Sequence, residues 1–276
     1  MNLEAFYRTH QVPRSVRQLW EIERVLNDAG SSLALISFDL VDVDFRYTVT
    51  PPDLIPIAHT GVDGCHFGFL TDFGMTRNLD LAPIVMVRPT GDPPLQVVAS
   101  TMRDLVALLL RVNDAEILAN LDYGDETDLI EESLEEYFSG EKRGRLTDIK
   151  SVLMSKFGVE AAESAQDRIQ TSQRIRESHI AIPTADSLGV LRSEDRCSGT
   201  PEYDYTRYDR DPESFIRHCS KLEKLALCRD LQYHFILDEG YDKSELNFVL
   251  TLLEDVGCRD ERARLADLSK NDENAV

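Results

Sequence analysis

Positive charge is scarce in this sequence, and over one long stretch it is absent. The chain has 276 residues with 30 Lys and Arg against 50 Asp and Glu, a formal net charge of −20. No Lys, Arg or His lies between Asp114 and Glu141. Because so negative a surface repels nucleic-acid phosphates, the composition argues against DNA or RNA as a partner and favours a basic protein. Solubility alone is the competing explanation of the same charge.

Cysteine pairs and long apolar runs are also missing. The cysteines are an odd number with no CxxC spacing, so neither a disulfide framework nor a zinc ribbon is expected. The N-terminal residues have no apolar signal-peptide core, and the longest apolar run, LVALLL at 105–110, is far shorter than the roughly 20 residues of a membrane helix. With reduced thiols, a cytoplasmic protein without a membrane partner is predicted. The cysteines are Cys65, Cys197, Cys219, Cys228 and Cys258.

Enzyme motifs are absent as well: the chain lacks a P-loop, a GxGxxG after a strand, HExxH and GxSxG. The most polar cluster is HTGVDGCHFGFLTDF, residues 59–73. Here His59, Asp63 and His66 could offer two imidazoles and a carboxylate to a metal, so a metal-dependent enzyme is one alternative. The intervening TGVDG is typical of a turn, with glycines for positive φ and Asp63 for hydrogen bonds to backbone amides. We favour the turn and predict no enzyme activity, no metal and no cofactor.

The first 113 residues show helix and strand patterns in an order typical of an α+β domain, with a mostly antiparallel sheet flanked by helices. A helix is predicted over 13–30. Asp39, Asp42 and Asp44 interleave with apolar residues as in a half-buried strand, which would place their carboxylates on one polar face. Pro56 predicts that the strand at 54–58 is short or lies at an edge. Further strands are predicted at 65–70, 84–89 and 95–100, and a helix at 101–112.

Most of the negative charge lies in the second part of the chain. Residues 1–113 hold 9 basic and 13 acidic side chains, a net of −4, which leaves −16 for residues 114–276. This shift predicts a boundary there, followed by an acidic, mainly helical region whose two most apolar helices suggest a homodimer interface. Helices are predicted at 125–138, 144–158, 159–178, 214–237 and 244–257, a loop at 183–212 with a short strand at 188–191, and a frayed end from 268.

The helix predicted at 125–138 has two interpretations. Its apolar residues share one face, and most of its other positions carry carboxylates. The helix could contact a basic partner, or its outer face could simply be solvated, which is the more common case.

Residues 13–112 also contain a recognisable order of small, apolar and turn residues. A Trp-containing helix is followed by IAHTGVDGCHFGFL and then by APIVMVRPTGDPPLQVVASTMRDLVALLL. This order resembles the SUKH superfamily, the Smi/Knr-type domain, while residues 113–276 resemble no family known to us. The matching positions are Trp20, Ile57, Ala58, Gly61, Asp63, Gly64, Phe67, Gly68, Phe69, Pro83, Ile84, Val85, Asp92, Pro93, Pro94 and 105–110.

The resemblance implies an α+β protein-binding module without a catalytic set. Many bacterial members are immunity proteins that neutralise toxins, often nucleases, and others are regulatory scaffolds. For this chain we therefore expect neutralisation of a basic toxin by direct binding, with a regulatory scaffold as the alternative. Asp63 and His66 are expected on the outer side of the turn. The residues expected to contact the partner are Asp39, Asp42, Asp44, Asp63, His66 and Asp72.

Overall fold

The computed structural model describes residues 3–44, 46–192, 203–205, 216–236 and 243–273. The strands in these ranges are β1 (Asp39–Leu40), β2 (Leu54–His59), β3 (His66–Leu70), β4 (Ile84–Val87), β5 (Leu95–Ala99), β6 (Ile180–Ile182) and β7 (Val190–Leu191). The helices are α1 (Leu3–Tyr7), α2 (Arg14–Asp28), α3 (Met102–Val112), α4 (Ile117–Asn120), α5 (Glu126–Glu136), α6 (Glu141–Phe157), α7 (Ala165–His179), α8 (Lys221–Ile236), α9 (Lys243–Asp255) and α10 (Arg259–Glu273).

The predicted α+β fold is confirmed. Within the described residues, β1 to β5 form one antiparallel sheet in chain order, and β6 pairs with β7 in a small second sheet. Local signals placed most of these elements well. For example, Thr101 caps α3 by accepting the backbone N–H of Asp104 at 3.3 Å. Gly30 follows α2 with a φ of 73°, as a helix end prefers.

The acidic strand predicted around Asp39, Asp42 and Asp44 is mostly wrong. Regular pairing stops after Leu40, and Asp42 and Asp44 lie in the segment that follows β1. The reason is Arg46, whose guanidinium holds this segment in a loop. It donates to the Asp44 carboxylate at 2.9 Å, and to backbone carbonyl groups further along the chain at 3.0 and 3.3 Å.

The strand that contains Pro56 is not the edge of the sheet, contrary to the prediction. It pairs with β1 on one side and with β3 on the other. Pro56 is tolerated because β1 is too short to reach it: the last contact is the Val41 N–H, which donates to the Ile57 carbonyl at 2.9 Å. On the β3 side the register shifts between Pro56 and Ala58, and such irregularities accommodate proline.

Both faces of the sheet are covered. On one face, Phe67, Phe69 and Ile84 belong to the main hydrophobic core with α2 and α3. On the other face, Leu54, Leu70, Val85 and their neighbours form a smaller cluster that Leu188 closes. Consequently every residue of β3 and β4 is buried, including His66, which was expected on the outer side of the turn.

The main core runs across the predicted boundary at residues 113 and 114. Ile149 of α6 and Ile169 of α7 belong to the same cluster as Leu109 of α3, and α7 also packs on β5. The apolar residues of α8 and α9 pack against each other, and α8 also contacts β6 and β7. The apolar side chains that suggested a homodimer therefore find partners within the chain.

The helix α10 is absent from the sequence-based prediction. Residues 268–273, expected to be frayed, are helical, because the helix is anchored earlier by buried Glu261, Arg264 and Leu265.

The strand predicted at 188–191 is confirmed as β7. Cys197, most of the tyrosine-rich segment at 200–210, and residues 274–276 lie outside the described ranges. Among the residues described, no helix combines the length and apolar character needed to cross a bilayer.

Candidate functional site

The polar stretch at 59–66 forms the predicted turn between β2 and β3. His59 and His66 are register partners across the two strands, and the Thr60 N–H donates to the Cys65 carbonyl at 2.9 Å. The turn needs left-handed backbone at Gly61 (φ 84°), Asp63 (φ 49°) and Gly64 (φ 70°). At Gly64 a Cβ would also lie only 2.6 Å from the Tyr47 ring, so both the positive φ and the close approach of Tyr47 require glycine there.

His66 is buried, and its predicted place on the outer side of the turn is wrong. Its Nδ1 donates to the Gly64 carbonyl at 2.8 Å, and its Nε2 accepts from the Thr50 hydroxyl at 3.0 Å. Burial lowers the pKa of His66 to about 4, so the ring is neutral at physiological pH. A neutral imidazole with both nitrogens engaged is a structural group of the core.

The other parts of the proposed metal or nucleophile cluster do not converge. His59 Nε2 lies 3.5 Å from the carboxylate of Asp39, whereas both ring nitrogens of His66 are engaged by Gly64 and Thr50. Burial raises the pKa of the Cys65 thiol, the opposite of what a nucleophile needs. Among the described residues, no group of three or more His, Cys, Asp or Glu side chains is arranged to hold a metal ion.

The predicted contact carboxylates have different environments. Asp39, Asp42 and Asp63 are exposed, whereas Asp44 is half-buried against Arg46. Asp72 is buried, with its Oδ1 2.6 Å from Nη2 of Arg176 on α7. Asp72, like His66, is therefore enclosed within the folded chain and offers no surface to a partner.

Asp72 belongs to a buried set of charges that sequence patterns did not reveal. Arg229 of α8 lies 2.5 Å from Asp53 and 3.2 Å from Asp186, and all three side chains are buried. Its guanidinium also stacks 4.8 Å from the centre of the Phe73 ring. Burial raises the pKa of Asp53 to about 6, and the positive charge of Arg229 partly offsets this effect. These contacts join loops of the first half to the C-terminal helices.

The most uniform charged surface is the outer face of α5. Its exposed carboxylates follow the spacing i, i+3, i+4, i+7, i+8, which places them on one side of a helix. The opposite side, with Leu129, Ile130 and Leu134, packs against the main core. Within the described part of the chain, none of these carboxylates forms an ion pair. They are Asp128, Glu131, Glu132, Glu135 and Glu136, and together they line one shallow groove.

Two exposed tyrosines flank this carboxylate face. Tyr123, before α5, is 70% exposed, and Tyr137, directly after it, is 53% exposed. The negative charge of Glu136 raises the pKa of Tyr137, which places the phenol next to the carboxylates.

No protein-family model matches the chain, and a search of curated proteins gives no significant match. The function must therefore be argued from these surfaces, and the SUKH resemblance remains a prediction.

His66 makes the stability of the protein depend on pH. Its pKa falls from about 6.5 in the unfolded chain to about 4 in the folded one, so its contribution is complete above pH 6.5 and is lost as the pH falls toward 4. At about 1.4 kcal/mol per pKa unit, the loss is about 3 kcal/mol. Between pH 7 and 4, the free energy of unfolding of the native protein should fall by that amount relative to a His66→Gln variant.

The measurement is urea denaturation of both proteins at several pH values. Asp53 has the opposite effect, because its raised pKa adds stability as the pH falls. This contribution is the same in both proteins and cancels when their free energies of unfolding are compared. His179→Gln, the same substitution at an exposed histidine, is the matched control. A constant difference between the native protein and His66→Gln at all pH values would contradict a buried neutral ring.

Proposed function

We propose that this chain is a non-enzymatic protein-binding module whose acidic surface binds a basic protein. The observation that carries the proposal is the face of α5, where exposed carboxylates that form no ion pair with any described residue lie between two exposed tyrosines. Complementary charge accelerates association and selects the partner. Tyrosines supply the apolar area that dominates binding energy at many interfaces. The combination distinguishes this face from a helix surface that is merely solvated.

The biological role that we propose is neutralisation of a toxin, and a nuclease toxin fits best. A nuclease binds nucleic acid through basic residues, so an acidic protein can occupy the same surface. This finer proposal rests on the SUKH resemblance of residues 13–112. A regulatory scaffold would use the same binding face but would confer no protection, which makes the two roles distinguishable in cells.

A charge-reversal experiment tests the binding face. The variant Glu131→Lys, Glu132→Lys, Glu135→Lys should weaken binding of the basic partner by about 100-fold or more, because three attractive charges become repulsive. Its matched control, Asp39→Lys, Asp42→Lys, Asp63→Lys, changes the net charge equally on the other predicted acidic surface. The partner is the toxin-like product of a neighbouring gene, and affinity is measured by calorimetry at low and high salt.

Each outcome has a distinct meaning. Loss of affinity in the α5 variant, with a salt-dependent association rate in the native protein, supports the proposed face. Loss in the control variant alone would move the site to the exposed carboxylates Asp39, Asp42 and Asp63. Equal affinity of all three proteins would refute recognition through either acidic surface. Co-expression with the toxin should protect growing cells, and binding without protection would favour the scaffold.

A further inference from the structure

A cleft of about 800 Å³ lies between the N-terminal segment, the loop that follows β3 and the first turn of α10. Its size suits a small organic ligand. Its walls include Phe73 and Cys258, and its polar groups come from all three segments: His10, Arg77, Asp80, Arg259, Asp260 and Glu261. The cleft shares no residue with the carboxylate face of α5.

The carboxylates of the cleft are already used within the protein. Asp80 accepts the backbone N–H groups of Arg14 and Ser15, each at 2.9 Å, and so caps the start of α2. Asp260 accepts the backbone N–H of Thr9 at 3.3 Å, together with the hydroxyl of the same residue. Little acceptor capacity therefore remains on these two groups for a ligand.

Glu261 is the most enclosed of the acidic side chains in the cleft. Its side chain is buried, and one carboxyl oxygen lies 3.4 Å from the Thr71 hydroxyl. Burial raises the pKa of this carboxyl group, which favours its neutral form. Of the three acidic side chains in the cleft, it is the one least able to repel an anion.

The cationic side chains of the cleft, by contrast, have no partners. Within the described ranges, Arg77, Arg259 and His10 form no side-chain hydrogen bond or ion pair, and both arginines are exposed at the mouth. In a chain with a net charge of −20, two exposed arginines that line one cleft without an ion pair among the described residues are unexpected. The N-terminus of α10, a helix of 15 residues, adds the partial positive charge of the helix dipole.

A buried guanidinium lies behind the same wall. Arg264 is only 2% exposed, and among the described residues its Nη1 and Nη2 have no hydrogen-bond acceptor. It follows Asp260 by one helical turn, and helical side chains lean toward the N-terminus, so Arg264 is directed at the turn that lines the cleft. Burial and, next, the charge of Arg264 lower the pKa of His10 on the cleft wall, which confirms that the two are close.

The charges around Arg264 do not satisfy it. Asp44 is the opposite charge that acts on it most strongly; Oδ1 of Asp44 is paired with Arg46 at 2.8 Å, and among the described residues its Oδ2, like Nη1 and Nη2 of Arg264, has no hydrogen-bond partner. The other charged neighbours are Arg8, which is paired with Asp267, and Asp260, which accepts from Thr9. Buried donors without acceptors are rare in folded proteins and often mark the place of a bound ion or ligand.

We propose that this cleft binds a small organic anion, whose carboxylate or phosphate group is held by Arg77 and Arg259 at the mouth and by Arg264 beneath the first turn of α10. A guanidinium presents parallel N–H donors that match two oxygens of either group. The site is separate from the proposed surface for a basic protein and does not depend on it.

The test measures the melting temperature of the full chain in inorganic phosphate or in citrate. Each value is compared with the melting temperature in sodium chloride at the same ionic strength. At about 10 mM, either anion should raise the melting temperature by about 2 °C or more, because a ligand of the folded state stabilises it. Arg77→Gln with Arg259→Gln should reduce the affinity at least about fivefold and leave the ligand-free melting temperature unchanged, since both side chains are exposed. Arg24→Gln, another exposed arginine, is the matched control.

A second variant tests Arg264 without relying on binding. Arg264→Met removes a buried charge whose Nη1 and Nη2 have no hydrogen-bond acceptor among the described residues, so the ligand-free melting temperature should stay equal or rise while the response to the anion is lost. A fall in this temperature would show that Arg264 is a structural residue and overturn its assignment to the site.

The same measurements decide the proposal as a whole. If neither phosphate nor citrate changes the melting temperature, or if the mouth variants respond like the native protein, the anion site is refuted. A response to phosphate alone identifies a phosphorylated ligand, and a response to citrate alone identifies a carboxylate. The α5 charge-reversal variant should respond to the anion like the native chain, which separates this test from that of the binding face.

Discussion

Replacing Arg229 with methionine is expected to lower the free energy of unfolding by about 3–5 kcal/mol. The guanidinium lies between Asp53 and Asp186, at 2.5 and 3.2 Å, and all three side chains are buried. Methionine has a similar length but no charge, so it leaves two carboxylates in the interior without their counter-charge. Breaking a buried pair in this way destabilises proteins by about 3–5 kcal/mol, far more than the pair itself stabilises them.

Urea denaturation, followed by the fluorescence of Trp20, measures this effect. The triple variant Arg229→Met, Asp53→Asn, Asp186→Asn should recover most of the loss, because it removes the stranded charges together with the arginine. Lys156→Met breaks the exposed pair with Glu21 and should change stability by less than about 1 kcal/mol. If Arg229→Met were no more destabilising than Lys156→Met, the buried charges would have to be solvated.

Replacing Phe67 with alanine should destabilise the fold by about 3–5 kcal/mol, the usual range for a buried phenylalanine. Phe67 lies on the central strand β3 and is fully buried. Its ring centre is 5.6 Å from that of Phe38, and Ala58 and Met86 are its neighbours on the flanking strands. Both adjacent strands hold the backbone in place, so the cavity left by the ring cannot close by collapse.

The free energy of unfolding is measured by thermal and urea denaturation and is compared with that of two further variants. Phe67→Leu retains most of the volume and should cost only about 1–2 kcal/mol. Tyr123→Ala, at a side chain that is 70% exposed, should leave stability within about 0.5 kcal/mol of the native protein. A loss below about 1.5 kcal/mol for Phe67→Ala would mean that this part of the core is loosely packed.

Features decided by neighbours in the sequence were predictable. The turn at 60–65 needs positive φ, and TGVDG supplies glycine and aspartate at the positions that adopt it. Thr101 starts α3, and the amphipathic spacing of α5 identified its carboxylate face and the half-buried Leu129, Ile130 and Leu134, although Tyr137, predicted on the same apolar face, is exposed. These are short-range effects of backbone conformation, capping and periodicity, and they hold in any fold that contains the segment.

Features that depend on contacts between distant parts of the chain could not be predicted from the sequence. His66 and Asp72 were expected at the surface, yet both are buried: His66 contacts Thr50 and Gly64, and Asp72 pairs with Arg176, 104 positions along the chain. The pairing of Arg229 with Asp53 spans 176 positions and leaves no periodic trace in the sequence. Helix α10 was missed because few of its residues are apolar, and its anchors include two buried charged side chains.

The sequence by itself determined the α+β class, the hairpin turn, the helix ends and the acidic character of the surface, because each depends on local conformation or on composition. Only the tertiary structure decided which carboxylates remain accessible. It buried Asp72, half-buried Asp44 and left Asp39, Asp42, Asp63 and the α5 face in solvent. It also brought the first turn of α10 and Arg77 to one cleft, and it buried Arg264 with no acceptor for its Nη1 and Nη2 among the described residues. The reason is physical: burial and charge pairing depend on contacts between segments far apart in the chain, and no local pattern records them.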